Sequence, residues 1–408
     1  MKTSIKPKYL QFRALSGLLL GAGLLAGVAI PVQGLAASNQ SHSHPLQARR
    51  VAMAQQPAAQ RAKIQLAILL DTSGSMSGLI DQTRNQLWQV VNEYAKARHN
   101  GLSPILQVAV YEYGNSRLEA GDGYVRRVTE LTSELDRVSE GLYSLTTTGG
   151  QEYCGYVIQT AVTDLQWSAA ENDIRVLFIA GNEPFTQGPV HFQQAIEAAK
   201  AKGIVVNTIH AGNHEQGAQT GWQQGALLAG GNYMSIDHNH KVVHFEAPQD
   251  KRIAELNKQL NQTYVPYGEQ GAEGAQRQQE QDAQSGDISL GLLAKRAKSK
   301  ASSLYNNSAW DLIDALNSGS VSLESVEEEA LPAPMQAMTK AEQKQFVEEA
   351  AEKRNRIQNE IAELAEARDD YVAQKKREVA EANPSTIDEA MISSVREQGK
   401  TKGFVFQE

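Results

Sequence analysis

The chain has 408 residues, 41% of them hydrophobic and 21% charged, with a formal net charge of -8. That length exceeds one ordinary domain of roughly 150 residues and supplies enough apolar material for one sizeable core. The acidic balance argues against a nucleic-acid partner, whose phosphates need a basic face, and a single cysteine, Cys154, excludes any intramolecular disulfide.

The charge is unevenly placed. Residues 1–61 carry seven Lys/Arg and no Asp or Glu, whereas residues 321–408 carry 12 basic and 19 acidic side chains. Lys2, Lys6, Lys8 and Arg13 precede an uncharged run from Ala14 to Val32, followed by small residues at Gly34, Ala36 and Ala37. A basic start, an apolar middle and a small-residue site predict a secretory signal over 1–37. Its rival is an uncleaved membrane anchor, because the apolar run is just long enough to cross a bilayer. The glycines within the run and the small residues after it favour cleavage, so a periplasmic or secreted destination is expected. Residues 38–61 lack an apolar period and read as a flexible linker. His42 and His44 in it are better explained as a solvated tail than as a metal site.

From Ile64 the pattern alternates strand and helix. Ile64–Leu70 is a buried-strand run, and the Ile80, Leu87, Val91, Tyr94 spacing predicts a helix from Leu79. Leu106–Tyr113 and Tyr124–Leu131 read as a strand and its hairpin partner. Helices are predicted at Leu135–Leu142 and Tyr153–Leu165, a buried strand at Ile174–Ala180, and a helix at Phe192–Ala201. Ile204–Ile209 reads as strand, Ala218–Leu228 as helix, Tyr233–Ile236 as strand, and Val242–Phe245 as a possible extension of the edge. This predicts an α/β fold over 62–246: a doubly wound, mostly parallel sheet with helices on both faces. Ligands of such sheets bind outside the carboxyl ends of the strands, so the residues after Leu70 and after Ala180 are where function is sought.

After Leu70 comes Asp71-Thr72-Ser73-Gly74-Ser75-Met76. Alternate side chains of an extended loop project the same way, so Asp71, Ser73 and Ser75 can converge on one point. Such hard oxygen donors suit Mg²⁺, with Mn²⁺ or Ca²⁺ as alternatives. The competing reading is a serine-rich helix cap.

The stretch ILLDTSGSM and the alternating pattern to about residue 246 resemble a von Willebrand factor type A domain. The resemblance implies a metal-ion-dependent adhesion site, with Asp71, Ser73 and Ser75 from the first loop. A Thr from a second loop and an Asp from a third complete such a site, and an acidic group of the ligand donates the last oxygen. The second loop matches Thr146–Glu152, where Gln151 falls at the family's Thr, leaving Thr148 or Glu152 for the role. The third matches Ala180-Gly181-Asn182-Glu183-Pro184, with Gly181 at the family's Asp; Asn182 and Glu183 are nearby donors, and Glu152 or Glu183 would restore a second negative charge. The segments GGQEYC and AGNEPF also resemble an exported bacterial subgroup with a helical C-terminal extension.

Other candidates have plainer explanations. Cys154 at a helix start is a conceivable nucleophile, but Glu152 opposes a thiolate and no base is placed for it, so a packed small residue is expected. His238 and His240, with Asp237 and His244, are more readily a loop than a transition-metal site. His210 and His214 end a strand on the ligand side and either line the pocket or do ordinary loop chemistry. No hydrolase, nucleotide or zinc-protease motif stands at a strand-to-helix turn.

The last third is helical and polar. Residues 247–330 read as short helices (Asp250–Leu260, Leu290–Tyr305, and Ala309–Leu316 with Ser308 as its cap) around a Gly268–Gly286 linker containing six Gln and four Gly. In 331–408, a capping-box spacing at Thr339–Glu342 starts a helix of some forty residues, ~60 Å long. Arg354, Arg368 and Lys375 interrupt its apolar stripe, which disfavours a dimeric coiled coil and favours pairing with Ile387–Val395 or with a partner. Phe404–Phe406 reads as an edge strand or a docking segment.

The reading is an exported, non-catalytic protein-interaction module that binds a partner's acidic side chain through Mg²⁺. Membrane attachment is expected only if the N-terminal segment is retained. The alternative is a structural envelope scaffold with a degenerate site, and a hydrolase ranks well below both.

Overall fold

The computed structural model describes residues 61–237, 245–379 and 387–407. The expectations for the 1–37 signal, His42, His44, His238, His240, His244 and a strand from Val242 lie outside these residues.

The six-stranded sheet runs in the order β4–β3–β1–β5–β6–β7. Its strands are β1 (Lys63–Asp71), β3 (Ile105–Tyr113), β4 (Val125–Thr132), β5 (Ile174–Gly181), β6 (Val205–Ala211) and β7 (Tyr233–Ile236). β4 pairs antiparallel with β3, and the other pairings are parallel. This is the mostly parallel, doubly wound α/β architecture expected. The register places Asp71 opposite Tyr113, and Leu70 opposite Ala180. The carboxyl ends of β1, β3 and β5 therefore stand side by side where the chain switches direction, which is where such sheets bind ligands.

Side-chain alternation sorts the strands onto two cores. Ile64, Leu66, Ile68 and Leu70 of β1 face one cluster, whereas Ala67 and Leu69 face the other. The second cluster is closed by α3 (Cys154–Asp164), α4 (Phe192–Ala201) and α6 (Trp222–Ala229). The helix expected over Ala218–Leu228 is two short ones: α5 (His214–Gln219), capped by Asn213, and α6, entered through Gly221.

The first cluster is closed by α1 (Ser77–Tyr94), α2 (Leu135–Ser144) and, beside them, the C-terminal region. Ile253, Leu256, Leu292, Trp310, Ile361, Met391 and Val395 belong to the same core as Leu66 and Val108. Each such fully buried aliphatic side chain contributes about 1.5–3 kcal/mol, so this region is an integral part of the domain's packing.

Several expectations for this region are corrected. Gly268–Gly286 is not a linker, because α8 (Gly271–Ile288) runs through it. The buried face of α8 is polar: Gln278 donates to the Tyr305 hydroxyl at 3.0 Å and Gln281 accepts from Ser139 at 2.6 Å. A helix held by hydrogen bonds shows no apolar period. Asp311, rather than Ser308, caps α10 (Leu312–Ser318). The long helix α11 (Lys340–Val379) packs chiefly on α7 (Asp250–Asn261) and α9 (Leu290–Lys300). Arg354 and Arg368 do not weaken its seam, since both are buried in it. Arg354 pairs with Asp311 at 2.7 Å and lies over the Tyr264 ring, and Arg368 pairs with Asp250 at 2.6 Å. Ile387–Val395 lies in α12 (Ile387–Thr401), which packs mainly on α1, where the Tyr94 hydroxyl donates to Met391 O at 3.1 Å. The final strand β8 (Phe404–Phe406) pairs with β2 (Ala97–His99), just after α1. Among the described residues, no helix is long and apolar enough to cross a membrane.

Candidate metal centre

Asp71 ends β1 and is fully buried. Its Oδ1 accepts the Ser73 N–H at 2.8 Å, whereas its Oδ2 is buried without a hydrogen-bond partner. Burial pushes the Asp71 carboxyl up to about 7; hydrogen bonds from Ser73 oppose this and the charge of Glu152 adds to it. Glu152 itself is raised, first by burial and then by the charge of Glu183. Asp71 and Glu152 approach each other across Gly114, where a Cβ would stand 3.0 Å from Asp71 Oδ1 and 2.9 Å from Glu152 Cγ. Among the described residues, no Lys or Arg forms an ion pair with Asp71, Glu152 or Glu183.

The first and third loops touch. Asn182 Nδ2 donates to Ser75 Oγ at 3.2 Å. Asn182 Oδ1, like Asp71 Oδ2, is buried without a partner. Neither serine acts as a helix cap in the usual sense: α1 begins after Met76 with no side-chain capping bond. The plainer reading of the serine loop therefore loses its main support.

The other expected residues divide. Thr148 is held in place by its N–H to Thr72 O at 3.1 Å, but its hydroxyl bonds Ser116 Oγ at 2.8 Å. The Glu183 carboxylate accepts a long bond from Gln187 at 3.4 Å, and together with Glu152, Gln151 and Tyr153 Glu183 lines an open cleft beside the site. The residue that sequence reasoning undervalued is Asn182. It was visible as an oxygen donor one position past Gly181, but only the loop geometry aims it at Ser75.

Gly181 is more than a missing carboxylate. A Cβ there would stand 2.5 Å from the Tyr113 hydroxyl oxygen and 3.0 Å from Asp71 Oδ2. The Tyr113 hydroxyl, which donates to Ala180 O at 3.1 Å, fills the space a side chain at 181 would need. A third-loop carboxylate at 181 thus has no room here, and the carboxylate that approaches Asp71 instead is Glu152, across Gly114.

Asp71, Ser73, Ser75, Asn182 and Glu152 form a donor set of hard oxygens with two unsatisfied buried acceptors. Buried polar atoms are nearly always partnered, so each exception calls for an explanation. A divalent cation is one that suits acceptor-only oxygens and the mutual repulsion of the carboxylates. The residues present fit such an ion, although among the described residues no three His, Cys, Asp or Glu side chains already stand in ligand geometry.

Cys154 is buried at the start of α3, and its Sγ lies 3.8 Å from the Tyr113 hydroxyl. Burial pushes its thiol far above the usual range, the opposite of an activated nucleophile. His210 is buried against Trp222, with ring centroids 5.7 Å apart, and His214 lies 3.3 Å from Ser235 Oγ.

The family model for the von Willebrand factor type A domain matches residues 65–220. No curated protein matches the chain. Three solved structures illustrate the similarities. An aerotolerance-related membrane protein from Bacteroides fragilis is 15% identical, with TM-score 0.29, over 43% of this chain and 92% of that one. Proximal thread matrix protein 1 from the mussel byssus, described with a zinc-occupied MIDAS motif, is 12% identical, with TM-score 0.32, over 43% of this chain and 42% of that one. The SpRpn10 VWA domain is 15% identical, with TM-score 0.32, over 42% of this chain and 87% of that one.

Proposed function

Because residues 65–220 form a von Willebrand factor type A domain, a family of protein-interaction modules, we propose that this chain is a non-catalytic interaction protein using a divalent cation, Mg²⁺ first, to bind an acidic group of a partner. Asp71, Ser73 and Ser75 would hold the ion, with Glu152 and Asn182 supplying the further oxygens. A cation held by these residues would supply a positive, oxygen-seeking centre for a partner's carboxylate. The chain's own residues prepare its position. Ser73 fixes one oxygen of Asp71, Asn182 ties the third loop to Ser75, and the Tyr113 hydroxyl closes the space beside Gly181. The Thr148 hydroxyl is engaged by Ser116, and Glu183 lines the cleft beside the site, where a partner would approach.

The observation that carries this reading is the pair of buried, unpartnered oxygens, Asp71 Oδ2 and Asn182 Oδ1, on adjoining loops. Isothermal titration with Mg²⁺ and Mn²⁺ tests it. The full chain is expected to give saturable heat, Asp71→Ala none, and Glu152→Gln a weaker response. Equal, negligible heats in all three would leave the structural scaffold, the reading that the blocked 181 position favours. We also propose export, with cleavage near residue 37; mature N-terminal sequencing checks it, and an intact Met1 start would indicate an anchored protein.

A further inference from the structure

A second chemical cluster lies away from the cation site, between α7, α8 and α9. Lys300, the last residue of α9, is fully buried. Its Nζ donates to the side-chain carbonyl oxygen of Asn261, the last residue of α7. Nζ also lies 3.0 Å from Asp282 Oδ2. The same Oδ2 accepts the Asn261 side-chain amide at 2.7 Å, and that of Asn257 at 2.7 Å. The other oxygen of Asp282 is pinned by Arg296 Nε at 2.6 Å, and Arg296 is in turn held by Asp136 at 2.6 Å and by Gln278 O at 3.0 Å. A plain buried ion pair needs only the lysine and the carboxylate. Here the amine, a carboxamide and the carboxylate form one closed set in which Asp282 Oδ2 touches both the attacking nitrogen and the nitrogen that would leave.

We propose that Lys300 and Asn261 join in an intramolecular amide cross-link, with Asp282 relaying the protons. Asp282 takes a proton from the ammonium, and the freed amine adds to Cγ of Asn261. Asp282 then hands its proton to Nδ2 while accepting the next from Nζ. The Cγ–Nδ2 bond breaks, ammonia departs with that last proton as ammonium, and the Cγ–Nζ amide remains. No electrons are transferred, so no oxidant or cofactor is needed. Two features assist. Burial, aided by Arg296 and opposed by Asp282, pulls the Lys300 ammonium below its usual range, toward the free amine that attacks. Fixed contacts also hold nucleophile, relay and leaving group together, which removes most of the entropic barrier to reaction. The product would tie the end of α7 to the end of α9 beneath the sheet.

Tryptic mapping of the purified full chain by mass spectrometry under denaturing conditions reads this directly. The wild type is expected to give a branched peptide joining the segments around Asn261 and Lys300, lighter than their sum by one ammonia. Asp282→Ala keeps both reacting groups and is expected to release two linear, unmodified peptides. The wild-type measurement stands by itself if that variant fails to fold. Recovery from the wild type of linear peptides with a free Lys300 amine and an intact Asn261 amide overturns the proposal, and a branched peptide persisting in Asp282→Ala overturns the relay.

Discussion

Replacing Gly181 by Ala adds one methyl group at the point where the third loop meets Asp71. Gly181 needs no left-handed backbone, since it is not among the positive-φ glycines, so the change acts through contact alone. The new Cβ would stand 2.5 Å from the Tyr113 hydroxyl oxygen, well inside van der Waals contact, with Asp71 Cβ and Oδ2 at 3.0 Å. None of the three can retreat freely. Tyr113 and Asp71 are both fully buried, and the hydroxyl is tied to Ala180 O at 3.1 Å. Overpacking of this kind costs about 1–3 kcal/mol. Tyr113→Phe by itself removes a buried hydrogen bond, worth about 1 kcal/mol. It also removes the atom that the new methyl meets first. The double variant is therefore expected to be more stable than the two single losses added together, with a coupling of about 1 kcal/mol or more. Urea unfolding of the full chain, followed by far-UV circular dichroism across the four-member cycle, measures it. Losses that add to within about 0.5 kcal/mol would refute the argument that Tyr113 occupies the place of a third-loop side chain.

Arg354→Met is expected to destabilise by about 3–5 kcal/mol, because it leaves the buried Asp311 and the half-buried Asp314 without their cation. A loss under about 1 kcal/mol in the same assay would mean that Arg354 does not anchor the long helix. Cys154 is expected to resist an aromatic disulfide reagent in native buffer and to react fully once unfolded, since burial raises its thiol and closes access. Rapid stoichiometric labelling of the folded protein would contradict that.

The sheet and the first loop of the candidate site are legible in the chain's own pattern. In β1 a near-continuous apolar run is buried on both faces and stops at Asp71, so Ile64–Leu70 could be read directly and Asp71 placed at the ligand end. The motif Asp71-Thr72-Ser73-Gly74-Ser75 is local, so its position at the end of β1 follows from the chain alone. Polar groups whose role depends on distant partners are not legible in this way. Gly181 reads as a lost ligand until Tyr113, on another strand, is seen to occupy its space. Asn182 reads as one loop amide among several until its contact with Ser75 forms. Arg354 and Arg368 read as breaks in an apolar stripe, and the Gln-rich 271–288 stretch as a linker, because hydrophobic periodicity registers only apolar burial. Buried ion pairs and hydrogen-bonded glutamines gain their energy from geometry that long-range packing supplies, and a pattern along the chain carries no record of it.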